Sequence, residues 1–129
     1  MHVLEGGAQG QTFLVQKGET EMVLKVYSDY GQNSFKAERY IYTKLKTTQN
    51  LTKGFAYLYS SKQRNDRYEL LIEAMGPNLL EDQKTLQDGH FPPFRVLRII
   101  MQLTEALRVL HEQNWTHGDL KLQNILLNK

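Results

Sequence analysis

Two opposite charges stand where apolar side chains belong, and together they restrict how this chain can fold. Lys25 interrupts the β-rich run Met22-Val23-Leu24-Lys25-Val26-Tyr27. On a strand, Val23, Lys25 and Tyr27 point to one face and Met22, Leu24 and Val26 to the other. The ammonium therefore has apolar neighbours whichever face is buried. It must find a partner, lose its proton, or snorkel out along an edge. On a helix from Phe35, the residues Phe35, Glu38, Tyr42 and Leu45 form one stripe. Glu38 sets a carboxylate inside that stripe, and Lys25 is its natural counter-charge. Pairing them requires the strand to lie beneath the helix.

The segments around this pair read in a definite order. Val3-Leu4, a glycine turn, Thr12 to Val15, a Lys17-Gly18-Glu19 turn and Met22 to Tyr27 predict three strands. Asn33 and Ser34 serve as N-caps for a helix running to about Lys46. Phe55 to Ser60 and Tyr68 to Ile72 predict two more strands, joined by a polar turn from Lys62 to Arg67. Gly76-Pro77-Asn78 breaks the pattern, and a short helix to Gln87 follows. Val96, Ile99, Ile100, Leu103, Leu107 and Leu110 recur at helical spacing within a helix from Phe94 to Glu112. Ile125 to Leu127 predicts a short strand whose hairpin partner is missing, which leaves an edge unpaired.

Composition narrows the function classes. A chain of 129 residues has room for one domain, and 40% hydrophobic with 23% charged residues is an ordinary globular balance. The net charge of +2 argues against a nucleic-acid or anionic-membrane partner. No cysteine is present, which excludes disulfides and thiolate metal sites and fits a reducing compartment. The longest apolar stretch, Val96 to Leu110, is broken by Arg98, Gln102, Glu105 and Arg108, so no membrane span is expected. The N-terminus has no charged region followed by an apolar core, so no secretory signal is expected either.

The segment His117-Gly118-Asp119-Leu120-Lys121-Leu122-Gln123-Asn124 carries the chemistry. An aspartate, a lysine two residues on and an asparagine five residues on resemble the catalytic loop of eukaryotic protein kinases, H-R-D-x-K-x-x-N. Upstream, Leu4-Glu5-Gly6-Gly7-Ala8-Gln9-Gly10-Gln11-Thr12-Phe13 is similar to the family's glycine-rich loop. Gly7 and Gly10 match its second and third glycines, Glu5 stands at the first, and Thr12 stands where valine is usual. A glycine-rich hairpin taken alone is equally a simple turn. Tyr68 to Gly76 resembles the strand entering the hinge between lobes, although by itself it is also a core strand ending at a breaker. Gly76-Pro77-Asn78-Leu79 is similar to the G-P-S-L of casein kinase-type enzymes.

The resemblance implies an α+β fold: a small lobe over residues 1–72, made of a twisted antiparallel sheet plus one helix. A hinge over 73–78 and the start of a helical large lobe over 79–129 would follow. It implies ATP and Mg²⁺ as cofactors and transfer of the γ-phosphoryl to a serine or threonine hydroxyl of a protein substrate. Asp119 would be the catalytic base, Lys121 would steady the transferred group, and Asn124 would be a metal ligand. Nucleotide would be held by Gly7, Gly10, Thr12, Val23, the Lys25–Glu38 pair, the backbone of Glu73 and Met75, and Leu126, with Ile72 as gatekeeper. His117 would pack into the core. An intracellular setting, cytoplasmic or nuclear, is expected.

Three features of the sequence qualify that expectation. Gly118 replaces the arginine that pairs with a phosphorylated activation loop in the family, so control by that route is not expected. H-G-D also occurs in small-molecule phosphotransferases, but Lys121 favours the protein kinases. Neither D-F-G nor A-P-E follows Asn124. The expected protein is therefore the N-terminal part of a longer enzyme, inactive on its own. The alternative is a catalytically dead nucleotide- or partner-binding module, with a partner covering the 94–112 helix.

Overall fold

Short turns with the right backbone handedness set the register of the sheet. The computed structural model describes residues 2–47 and 54–129. Strands β1 (His2–Gly7), β2 (Gly10–Lys17) and β3 (Thr20–Tyr27) follow one another through two-residue turns, the second opened by Gly18 at φ +61°. Strands β4 (Leu58–Arg64) and β5 (Arg67–Glu73) form a further hairpin. Their turn is Asn65-Asp66, far tighter than the Lys62–Arg67 span expected from composition. Asn65 takes a positive φ of 49°, so two residues suffice, and Lys62, Gln63 and Arg64 stay paired with Glu69, Tyr68 and Arg67. The same tightness moves β4 along the chain from the predicted 55–60. The five strands form one antiparallel sheet in the order β1-β2-β3-β5-β4.

Helix α1 (Gln32–Thr47) covers one face of that sheet. It starts before the predicted caps. A 3₁₀ turn at Asp29–Gly31 runs straight into it, and the Gln32 N–H bonds to the Asp29 carbonyl, so Asn33 and Ser34 lie inside the first turn. Tyr27, Phe35, Leu58, Tyr68, Leu70 and Ile72 make the core, with Val23 and Tyr42 packed against it. Phe35 is wholly buried between Tyr27 and Tyr68, at ring-centroid distances of 5.5 and 5.2 Å. Burial of one such ring contributes roughly 1.5–3 kcal/mol. The α+β small-lobe fold anticipated above is what forms.

The chain divides into two compact units, residues up to Ala74 apart from Gly54 and Phe55, and those two residues with Met75–Lys129. The boundary falls within the predicted hinge. In the second unit, helix α2 (Leu79–Lys84) opens on a capping box: the Asn78 side chain accepts from the Glu81 N–H, and Glu81 accepts from the Asn78 N–H. It ends three residues short of the predicted Gln87. Helix α3 (Pro93–Glu112) turns Ile99, Leu103, Leu107 and Leu110 inward, but Val96 and Ile100 of the predicted stripe are exposed at 38% and 52%. Val96 and Ile100 fall on the same helical face as Leu103 and Leu107, so it is the N-terminal part of that face that is left uncovered.

The predicted strand at Ile125–Leu127 is a single bridge, Leu126 opposite Asn78. Leu79 N–H donates to the Ile125 carbonyl, Gly76 N–H to the Leu127 carbonyl, and Leu127 N–H to the Pro77 carbonyl. One side of this segment is thus paired by 76–79. Pro77, lacking an N–H, limits how far that ladder can extend.

Candidate active site

The first unit contributes a cavity of about 630 Å³ lined by the glycine turn, Thr12, Lys25, Val26, Tyr27 and Glu38. Its shape depends on Gly10 more than on any other glycine. Gly10 has φ +146°, and a Cβ there would lie 2.2 Å from the Val26 carbonyl oxygen and 2.8 Å from Tyr27 Cα. A Cβ on Gly7 would meet nothing within 4 Å. Gly10, paired with Tyr27 at the start of β2, therefore lets that strand lie close against the β3 backbone, while Gly7 leaves the turn open for a ligand to approach its backbone.

The turn is also tied to the segment leading into α1. Ser28 N–H donates to the Gln9 carbonyl at 3.0 Å, Ser28 Oγ to the Ala8 carbonyl at 2.7 Å, and Ser34 Oγ to Gln9 Oε1 at 3.1 Å. Gly31 permits this approach, since a Cβ on it would lie 2.1 Å from the Gln9 carbonyl oxygen.

On the floor, Lys25 Nζ donates to Glu38 Oε2 at 2.7 Å. The expected pair forms, and both side chains keep about a third of their surface exposed (30% and 34%). Its contribution to stability is accordingly small, ~1 kcal/mol or less. Its value is positional, because it leaves an ammonium facing the cavity. Thr12 lies opposite Lys25 across β2 and β3. Val23 shares the face of Lys25 but packs on the core cluster and does not line the cavity. The lining adds Gln9, Val26 and Tyr27, which the sequence reading did not assign. Tyr27 was traceable through its i+2 spacing from Lys25. Ile72, the expected gatekeeper, is buried in the core. Glu73 uses its N–H on the Tyr57 carbonyl, and its carboxylate accepts from the Tyr57 N–H.

The second unit contributes a polar loop held in shape by local bonds. Gly118 takes φ +76°, a left-handed conformation that glycine adopts without strain. A 3₁₀ turn at Leu122–Asn124 then brings the chain back. Asn124 Nδ2 donates to the Asp119 carbonyl at 2.7 Å and to Asp119 Oδ2 at 2.9 Å, and Lys121 Nζ lies 2.9 Å from the same carboxylate oxygen. Lys121 first, and then Asn124, hold the Asp119 carboxyl below its ordinary pKa. Asp119, Lys121 and Asn124 are therefore brought together. His117 is a correction to the sequence reading: it is exposed, and its Nδ1 accepts the Asp119 N–H at 3.3 Å. The ring's exposure leaves it this local polar role. Met75 and Leu126 lie in this unit, apart from the cavity lining, and Leu126 is 49% exposed.

Comparison with known proteins decides the family. The model of the protein kinase domain matches residues 3–129. The chain belongs to the protein kinase domain family. Among curated kinases it is 27% identical over 128 residues to the serine/threonine-protein kinase pakG of Dictyostelium discoideum, covering 98% of this chain and 10% of that one. It is 33% identical over 75 residues to the serine/threonine-protein kinase dkf-2 of Caenorhabditis briggsae, covering 58% of this chain and 6% of that one. The chain thus spans about a tenth or less of the length of these kinases. A crystal structure of a kinase domain superposes with a TM-score of 0.84 at 23% identity, covering all of this chain and 39% of the other. That likeness shows the kinase fold.

Kinase domains use ATP and Mg²⁺, and the donor set here fits that pair. Among the described residues no cluster of three histidine, cysteine or carboxylate side chains could hold a metal. A Mg²⁺ ion needs no such cage, since it takes one or two protein oxygens and completes its shell with phosphates and water. With Nδ2 of Asn124 committed to Asp119, its amide oxygen is the donor available for that purpose. No helix of the described residues is long and apolar enough to cross a membrane.

Proposed function

We propose that this chain supplies the nucleotide-binding and catalytic-loop parts of a serine/threonine protein kinase that transfers the γ-phosphoryl of Mg²⁺–ATP to a protein hydroxyl. The observation that carries the reading is the Lys25–Glu38 pair on the floor of the glycine-turn cavity. An ammonium held by one carboxylate and facing a cavity lined by a glycine turn is suited to the α- and β-phosphates. Asp119, kept ionised by Lys121 and Asn124, is an acceptor that can orient the attacking hydroxyl and take its proton. Lys121 offers positive charge beside that carboxylate for the phosphoryl oxygens. Asn124, by its amide oxygen, and the backbone of Glu73 and Met75 are assigned to the metal and to the adenine edge. Leu126 and Val23 are assigned to the apolar contacts of the base. The setting is cytoplasmic or nuclear.

A second reading, a non-catalytic binding module, draws on α3, where Phe94, Leu97, Ile100 and Met101 are exposed. One experiment separates the two. The native protein, its mass measured intact, is given labelled ATP, Mg²⁺ and a general protein substrate, beside its Asp119→Asn variant. Transfer to serine or threonine that disappears in the variant supports the kinase reading. Nucleotide binding without transfer supports the module, and equal transfer by both proteins would remove Asp119 from its role.

A further inference from the structure

The cavity beneath the glycine turn leaves one side chain to answer a great deal of negative charge. Among the described residues that line it, Lys25 is the single cation, and Glu38 already takes part of its charge. Phosphates that enter therefore need further donors. The glycines of the lining supply backbone alone, so its polar side chains matter. Gln9, in the turn between β1 and β2, is one of these and is held in a particular way.

Both its backbone and its side chain are tied down. The Gln9 carbonyl accepts the Ser28 N–H at 3.0 Å, and Gly31 approaches that same oxygen closely because it has no Cβ. The side chain reaches across to α1, where Ser34 Oγ donates to Gln9 Oε1 at 3.1 Å. Ser34 and Glu38 stand four residues apart on α1, so they share one helical face a turn from each other. From that face Glu38 accepts the bond from Lys25 at 2.7 Å. The Gln9 amide is thus anchored one helical turn from the carboxylate that sets the position of the ammonium.

A carboxamide has one acceptor oxygen and two N–H donors. With the oxygen engaged by Ser34, the Nε2 donors are what the amide has left to offer an anion. They are neutral, so Glu38 does not compete for them as it does for the ammonium. Ser34 has also restricted the rotamers that an unheld glutamine would lose on binding.

We propose that Gln9 is a phosphate-binding residue, its Nε2 donating to oxygens of a nucleotide polyphosphate drawn in by Lys25, and that Ser34 is the positioning residue that orients the amide. This rests on the reading of the cavity as a nucleotide phosphate site.

The test measures Mg²⁺–ATP and adenosine affinities by calorimetry on the full chain, for Gln9→Met, Ser34→Ala, Ser34→Thr and the double variant of the first two. Methionine keeps the length of glutamine without its donors. Gln9→Met should weaken Mg²⁺–ATP about tenfold, the scale of one hydrogen bond to a charged group, while adenosine, which has no phosphate, stays within about twofold of the parent. Ser34→Ala should weaken Mg²⁺–ATP in the same direction, and Ser34→Thr should restore it by returning the hydroxyl. The double variant should bind no more weakly than Gln9→Met alone, since Ser34 acts through Gln9. Mg²⁺–ATP affinity for Gln9→Met that is within about twofold of the parent, or tighter, overturns the proposal. An equal loss of ATP and adenosine overturns it too, because it marks a turn that has changed shape. Losses that add in the double variant remove Ser34 from its role. A parent protein that fails to bind Mg²⁺–ATP overturns the phosphate-site reading itself, and this inference falls with it.

Discussion

Lys25 Nζ and Glu38 Oε2, 2.7 Å apart, join the central strand of the sheet to the helix that covers it. The pair is too exposed to hold the fold together. The aromatic layer of Tyr27, Phe35 and Tyr68 does that, and the ion pair sets where the cavity's ammonium sits.

Lys25→Met should therefore separate binding from stability. Mg²⁺–ATP affinity is expected to fall by roughly tenfold or more, while the unfolding free energy changes by ~1 kcal/mol or less. Calorimetric titration beside a denaturant series checks both. Unchanged affinity would remove Lys25 from the phosphate site.

The two glycines of the turn should behave in opposite ways. Gly10→Ala forces a Cβ against the Val26 carbonyl at a strained φ, and is expected to cost roughly 2 kcal/mol or more. Gly7→Ala meets open space and should stay within ~1 kcal/mol of the parent. Denaturant midpoints decide. Equal losses at both positions would mean that the close approach of Gly10 to the β3 backbone is not what this glycine serves.

Asp119 should titrate below the ordinary aspartate value of ~3.9, because Lys121 and Asn124 favour its charged form. The sign follows from the lowered folded pKa. Whatever stability the carboxylate adds is present above ~3.9 and is lost as pH falls through the lower folded value. Carbon-detected NMR titration of the carboxyl reads this directly, and Lys121→Met should move the midpoint upward. A midpoint that ignores Lys121 would break the link between them. In the transfer assay Asp119→Asn should lower the rate on the order of a hundredfold or more, with ATP affinity near the parent's.

Tyr42, pushed up to about 12, and Tyr27, pushed up further, should resist ionisation while the fold persists. Their raised values mean that the folded state keeps the phenolic protons. Stability from these two groups is full below ~10 and declines as pH rises through the folded values. Phenolate absorbance should rise in two stages, exposed tyrosines first and the remainder together with unfolding monitored by circular dichroism. One smooth stage completed before unfolding would contradict the burial of both hydroxyls.

Much of the fold was readable from residue order. The strand lysine and helix glutamate required each other, the two-period runs marked β2, β3 and β5, and Phe94 to Glu112 showed its helical spacing. Boundaries read less well where one dihedral decides them. Asn65 at positive φ shortened a predicted six-residue turn to two, and a 3₁₀ turn fed α1 without the expected cap. His117 looked like a core residue, yet it is exposed and bonds only its own loop.

The divide between these two kinds of information has a physical cause. Periodicity, turn residues and misplaced charges are local, and they were enough to mark most strands and helices, to suggest the Lys25–Glu38 pair and to show the catalytic-loop spacing, from which the resemblance implied the α+β fold. Solvent exposure and unmet hydrogen bonds depend on which distant atoms arrive nearby. Only the folded chain could show that Gly10 is needed where β2 lies close against the β3 backbone, and that residues 76–79 pair with 125–127.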